Sequence, residues 1–271
     1  MRLTALVLLT TAAGFVARST GPIRVRLLLW TLLGTGLCAA GANAINQWAE
    51  AARDARMERT RERPLPAGRM SPRHALCAAF LALLPGLGLL AFWVNPLTAF
   101  LAAVVVVLYV LVYTPLKPKT PFCILVGATC GAIPPMMGWT GATGTLGAGA
   151  WVLGGLLFFW QIPHFLALAW LYREDYARGG FRMLPSHDPT GRRTGSVAVL
   201  GIFVLVPWGL AMTSLGLSGW VFAAGSVGLG LGLLFLGVRM CQERSERNAR
   251  RLFLGSIFYL PLLLGLLIVD R

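Results

Sequence analysis

Nine apolar stretches dominate this chain, near residues 3–17, 27–45, 74–94, 97–114, 122–138, 150–171, 196–215, 219–238 and 252–269. Each is about as long as a helix needs to cross a bilayer core, roughly 20 residues at about 1.5 Å per residue. Lipid offers no hydrogen bonds, so a spanning segment must satisfy its own backbone, and a helix does so. The expected fold is all-α: a polytopic membrane bundle of about nine transmembrane helices around a central cavity, with residues 1–271 as one domain. Composition agrees. Of the 271 residues 56% are hydrophobic and 13% charged, against about 25% charged in a soluble domain. An ordinary soluble enzyme, a disordered chain and a fibrous repeat are excluded. The first stretch is short and follows Arg2, as in a secretory signal, but a strongly apolar second stretch follows closely, so it counts as a span.

The formal net charge of +14 would suit nucleic acid if it formed one patch, but it does not. Segments 46–73, 115–121, 172–195 and 239–251 hold 19 of the 24 Lys and Arg, and the connections near 95, 140–149 and 216–218 hold none. That alternation is the positive-inside pattern. It predicts cytoplasmic-side loops at 46–73, 115–121, 172–195 and 239–251, the N-terminus inside and the C-terminus outside, and a lipid partner with no nucleic acid. The five Cys (38, 77, 123, 130, 241) form neither a CxxC motif nor a Cys/His cluster, so they read as packing residues.

Polar residues at the inner ends of spans carry the chemical information. Asn46, Glu50 and Asp54 recur every four residues and share one helix face, among small neighbours such as Ala49, Ala51 and Ala55. An amide and two carboxylates are hard oxygen donors suited to Mg²⁺ shared with a substrate phosphate. The other reading of this face is a polar helix end neutralised by Arg53 and Arg56. The following run, Met57-Glu-Arg59-Thr60-Arg61-Glu-Arg63-Pro64, brings guanidinium groups that grip phosphate. Lys117 and Lys119, in Tyr113-Thr-Pro-Leu-Lys-Pro-Lys, lie on the same side and could meet phosphate or carboxylate, with Tyr113 over a cationic intermediate. In Trp160-Gln-Ile-Pro163-His164-Phe165, His164 is the one histidine within a span core, beside a proline expected to kink the helix. Haem ligation, proton transfer and plain packing are all open to it. Eleven residues on, in Arg173-Glu174-Asp175-Tyr176, Asp175 shares its face if the helix is continuous.

These segments, in this order over about residues 40–200, resemble the UbiA-type intramembrane prenyltransferases, and within them the haem O synthase branch. The first Asp-rich motif and its Arg-Thr tail correspond to Asn43-Ala-Ile-Asn46-Gln through Met57-x-Arg59-Thr60-x-x-Arg63-Pro64. The branch is marked by Tyr113-Thr-Pro-Leu-Lys117, Gly131-Ala-Ile-Pro-Pro-Met-Met-Gly138-Trp-Thr, Trp160-Gln-x-Pro163-His164-Phe165, Glu174-Asp175-Tyr176 and Met183-Leu-Pro185.

The resemblance implies farnesyl transfer from farnesyl diphosphate to a vinyl group of haem b, with Mg²⁺ as cofactor. Asn46, Glu50 and Asp54 would hold the metal and diphosphate, joined by Tyr113, Lys117 and His164 as catalytic residues. Asn43, Arg59, Thr60, Arg63, Lys119, Trp160, Glu174 and Asp175 would contact substrate. Downstream partners would be a haem A synthase or oxidase assembly proteins. Two positions depart from the family pattern: Pro118 replaces an Arg, and Cys123 an Asn. The competing functions are another aromatic prenyltransferase, of quinone biosynthesis, and a non-enzymatic transporter or assembly factor. With no long Arg/Ser-rich presequence ahead of the first span, a bacterial plasma membrane is favoured over a mitochondrial one.

Overall fold

The computed structural model describes residues 2–19 and 21–270, so Met1 and Arg271, the ends of the expected domain, lie outside the described residues. All its regular structure is helical: α1 (Arg2–Arg18), α2 (Val25–Asp54), α3 (Pro72–Leu89), α4 (Pro96–Val107), α5 (Thr114–Leu116), α6 (Cys123–Thr143), α7 (Ala148–Leu171), α8 (Arg173–Arg178), α9 (Arg192–Ser214), α10 (Trp220–Gln242) and α11 (Glu246–Val269). Two wide π-helical turns, Leu90–Val94 and Leu108–Tyr113, prolong α3 and join α4 to α5. Among the described residues eight helices are long and apolar enough to cross a membrane, and Leu3–Arg18 is a shorter apolar one. The expectation of about nine helices holds.

Local chemistry sets the ends of these helices. Ser71 caps α3 by accepting from the His74 amide, and Pro72 opens the helix where its missing N–H costs nothing. Asn95 caps α4 in the same way and also donates to the Thr140 carbonyl at 2.8 Å. Gly144, at φ 73°, closes α6 in the left-handed conformation that favours glycine.

The α6 and α7 helices lie at the centre and are the most enclosed of the spans. One apolar core joins α7, α9, α10 and α11 and reaches α1 and α6. A second joins α2, α3 and α4 to α6. The first helix is admitted by glycine: a Cβ on Gly138 would collide with the Thr11 carbonyl, and one on Gly14 with that of Pro135. Small residues allow this approach, which lipid-embedded helices use for packing. Phe92, Phe100, Leu111, Phe203 and Phe258 stay exposed on the outside, as a lipid-facing surface requires.

The basic connections gather at one end of the bundle. The Glu58 amide donates to Asp175, the Arg182 amide donates to the Lys117 carbonyl, and Arg173 pairs with Glu246 at 3.5 Å. At the other end Arg24 donates to the Ala142 carbonyl, and Gly219 to that of Asp270. The candidate site lies at the basic end.

Candidate active site

The α2 helix runs without interruption to Asp54, so the four-residue spacing acts as a spacing on one face. Asn46, Glu50 and Asp54 are 5%, 5% and 2% exposed, whereas Trp48 on another face is open. The buried face meets the segment 109–117 and the Arg-rich segment rung by rung. Deepest, the Tyr109 hydroxyl donates to Asn43 Oδ1 at 3.2 Å. Next, Asn46 Nδ2 donates to Thr114 Oγ1 at 2.9 Å, and Thr114 donates to the Tyr109 carbonyl at 2.7 Å. Then Lys117 Nζ donates to Glu50 Oε2 at 2.9 Å. Nearest the basic end, Arg63 pairs with Asp54 Oδ2 at 2.7 Å, and Thr60 Oγ1 donates to the Asp54 carbonyl.

This arrangement is a charge-balanced ladder sunk into a helical bundle. Burying a carboxylate is costly unless it is paired, and both acids have a cation. Glu50 Oε1 lies 2.7 Å from Lys117 Nζ, yet it is buried without a hydrogen-bond partner. A hard cation would satisfy such an oxygen. Among the described residues no group of three or more His, Cys, Asp or Glu is placed to hold a metal. Two carboxylates and an amide are hard oxygen donors of the kind that would suit an ion taking its remaining ligands from a substrate, as Mg²⁺ commonly does with phosphates.

Beside the ladder, Tyr113 stacks on Tyr109 with ring centroids 5.5 Å apart, and Lys117 Nζ lies 4.6 Å from the Tyr113 ring centre and 5.6 Å from that of Phe181. An apolar floor of Met57, Cys123, Ala169, Phe181 and Met183 lies next to these groups. Cys123, one of the two departures, sets its Sγ 3.9 Å from Met183 Sδ, and a thiol suits that neighbourhood.

The other sequence-derived residues divide. Arg59 is exposed and spans the rings of Tyr172 and Tyr176. It borders a 420 Å³ cavity with Glu58, Tyr172, Arg173, Glu174, Asp175 and Glu246. Lys119 is exposed. Glu174 is exposed and pairs with Arg173 at 3.7 Å. Asp175 is 5% exposed and spends its carboxylate on the protein. Oδ1 accepts from the Glu58 amide and Arg178, both at 2.8 Å, and Oδ2 from the Arg59 amide at 3.3 Å. Burial alone would raise the Asp175 pKa, but Arg178 and the two amides hold it below the ordinary carboxylate value.

The continuous helix expected from His164 to Asp175 is not formed. The α7 helix stops at Leu171, Tyr172 leaves helical geometry at φ −112° and ψ 26°, and α8 starts afresh. Pro163 does not end α7, which continues helical through it. Trp160 and His164 make their bonds to α11. Trp160 Nε1 donates to the Ser256 carbonyl, and His164 Nδ1 lies 2.8 Å from Ser256 Oγ. The imidazole stacks with Trp160 and Phe253, at centroid distances of 5.0 and 4.9 Å. The sequence reading gave no role to Tyr109, Thr114, Phe181 or Ser256. For Tyr109 and Thr114 the available signal was polar side chains in an otherwise apolar run.

A bundle of membrane-length helices with a buried carboxylate–cation ladder at its basic end defines an integral, multi-pass membrane protein with an intramembrane polar site. The UbiA prenyltransferase family profile matches residues 7–262, and the chain belongs to that family. It is 44% identical to the protoheme IX farnesyltransferase of Salinibacter ruber (strain DSM 13855 / M31) over 268 residues, 99% of this chain and 95% of that one. It is 44% identical to the mitochondrial protoheme IX farnesyltransferase of Homo sapiens over 272 residues, all of this chain and 60% of that one. Among solved structures, a digeranylgeranylglyceryl phosphate synthase superimposes with a TM-score of 0.83 at 15% identity, covering 99% of this chain and 94% of that one. A UbiA homologue from Archaeoglobus fulgidus, bound to DMAPP and Mg²⁺, gives 0.73 at 16%, covering 98% and 96%. At these identities the structural likenesses establish the fold.

Proposed function

We propose that this chain transfers the farnesyl group of farnesyl diphosphate to a vinyl group of protoheme IX, with water completing the addition to give haem O. The farnesyl C1–O bond breaks and its electron pair leaves with diphosphate. The vinyl carbon then bonds to C1, and water adds at the adjacent carbon with loss of a proton. The single observation that carries this reading is the buried ladder of Asn46, Glu50 and Asp54 against Thr114, Lys117 and Arg63. The names of the 44%-identical relatives support the choice of substrates.

In this reading Asn46, Glu50 and Asp54 would hold Mg²⁺. When bound, that ion neutralises charge on the departing diphosphate. Lys117 and Arg63 have a second task. In the free protein they neutralise Glu50 and Asp54; once diphosphate binds, they turn their donors to phosphate oxygens, where charge develops as the C1–O bond breaks. Tyr113, stacked on Tyr109, offers a ring face to an allylic cation. The floor of Met57, Phe181 and Met183 keeps water away from it. Arg59 and Thr60 belong to the diphosphate side, Asn43 to the deeper end. His164 is assigned to haem, together with Trp160. Lys119 and Glu174, both exposed, would meet an incoming substrate at the surface of the basic end. The basic end faces the cytoplasm, or its equivalent, by the positive-inside rule, and the product would pass to haem A synthesis or oxidase assembly. Incubating the purified chain with haem b, farnesyl diphosphate and Mg²⁺ tests the function. Haem O identified by mass is the expected result, and its absence beside released farnesol would remove the haem assignment.

A further inference from the structure

The α8 helix and the segment 55–63 are joined more closely than two neighbouring connections require. Asp175 accepts from the consecutive amides of Glu58 and Arg59 and from Arg178. Arg178 also reaches Glu58 at 3.4 Å. Arg53 and Arg56 donate to the carbonyls of Gly179 and Gly180 just after α8. On Gly179 a Cβ would stand 2.8 Å from Met57 Sδ, so the two segments touch there as well. The latched segment then runs straight to Thr60 and Arg63, both of which bind Asp54.

We propose that Asp175 is a positioning residue: it latches the Arg-rich segment to α8 and, through that segment, sets Arg63 beside Asp54 for the diphosphate. The inference rests on the functional reading above for the identity of the ligand, but the latch itself does not. Both carboxylate oxygens are occupied by donors of the protein, so Asp175 acts through Arg63 rather than on metal or phosphate. An asparagine in its place would accept one backbone amide and present its own NH₂ to the other, breaking the latch with little change in shape.

The test uses the full chain in detergent micelles. Wild type, Asp175→Asn, Arg63→Gln and the double variant are titrated with farnesyl diphosphate and Mg²⁺, and each is digested with trypsin, which cuts after the arginines of the latched segment. Losing a charge-assisted bond should speed cleavage after Arg56, Arg59 and Arg61, and weaken farnesyl diphosphate binding, each about tenfold. In the double variant, binding should match Arg63→Gln alone to within about twofold, because the two act in series. Cleavage of Asp175→Asn at the wild-type rate overturns the latch. Losses that multiply in the double variant overturn the route through Arg63. If wild type itself binds no farnesyl diphosphate, the functional reading fails, and the trypsin result still decides the latch. Should Asp175→Asn not fold, Arg178→Gln removes one of the three donors and should accelerate cleavage by a smaller factor; an unchanged rate overturns the proposal.

Discussion

Lys117 and Glu50, 67 residues apart in sequence, form a buried ion pair in which Nζ donates to Oε2 at 2.9 Å and lies 2.7 Å from Oε1. The pair neutralises a carboxylate that would be expensive to bury alone, with the ammonium set against both of its oxygens.

Replacing Glu50 by Gln or Asp54 by Asn leaves Lys117 or Arg63 without its counter-charge and, in the proposed mechanism, would remove a metal ligand. Turnover with Mg²⁺ should fall about 10²–10³-fold, measured as consumption of farnesyl diphosphate. Full activity in either variant refutes the ladder as the metal site.

Metal removal should reproduce that loss. A chelator should abolish turnover, and Mg²⁺ added back should restore it. Because the protein supplies few donors of its own, Mg²⁺ should bind far more weakly without farnesyl diphosphate than with it, measurable by calorimetry. Tight binding of the ion alone would contradict a site shared with substrate.

His164 is held by Ser256 through Nδ1, which leaves Nε2 as its one nitrogen for a ligand. If that nitrogen meets haem, His164→Ala should shift the Soret band of the bound haem. A smaller shift is expected in Ser256→Ala, where the ring loses its orienting partner. An unchanged spectrum in His164→Ala would assign the imidazole to packing between Trp160 and Phe253.

Acid should loosen the basic end. Burial works to raise the Asp175 and Asp188 carboxyls, but their hydrogen bonds hold both below the ordinary value: Arg178 and two amides for Asp175, the Thr194 amide and hydroxyl and the Thr190 hydroxyl for Asp188. A depressed folded-state pKa contributes stability above the unfolded value, lost as pH falls through the folded one. The Tm should therefore stay level from neutral pH to about 5 and fall below about 4. A decline centred between pH 6 and 7 would point to other groups.

Gly138→Ala would drive a methyl into the Thr11 carbonyl of α1. Overpacking of this kind costs about 1–3 kcal/mol, so Tm should drop even though the site is untouched. An unchanged Tm would mean that α1 can move away freely.

The spans, their alternating charge and the buried face of α2 were all legible in the sequence, because they depend on hydrophobicity and on the period of one helix. The partners of that face were only half legible. Lys117 and Arg63 announced themselves by charge. Tyr109 and Thr114 did not, since their alignment depends on a π-helical turn that helical spacing does not predict. The supposed shared face of His164 and Asp175 failed for a related reason: counting residues assumes an unbroken helix, and Tyr172 breaks it. Nor could spacing tell that Asp175 would face the amides of a segment more than a hundred residues earlier.

The wide turn at Leu108–Tyr113 sets the register of the site. There the Thr114 backbone N–H, like its hydroxyl, donates to the carbonyl of Tyr109, five residues back, so the segment carries one residue more than a regular α-helical turn would hold. Removing one residue from 108–113 would close the wide turn into a regular α-helical one and break the bonds from Thr114 to the Tyr109 carbonyl. The Thr114 hydroxyl would then lose its setting against Asn46, with every charged residue unchanged. Relatives that keep the ladder's chemistry should therefore tolerate exchanges of side chain in this stretch more readily than any change in its length.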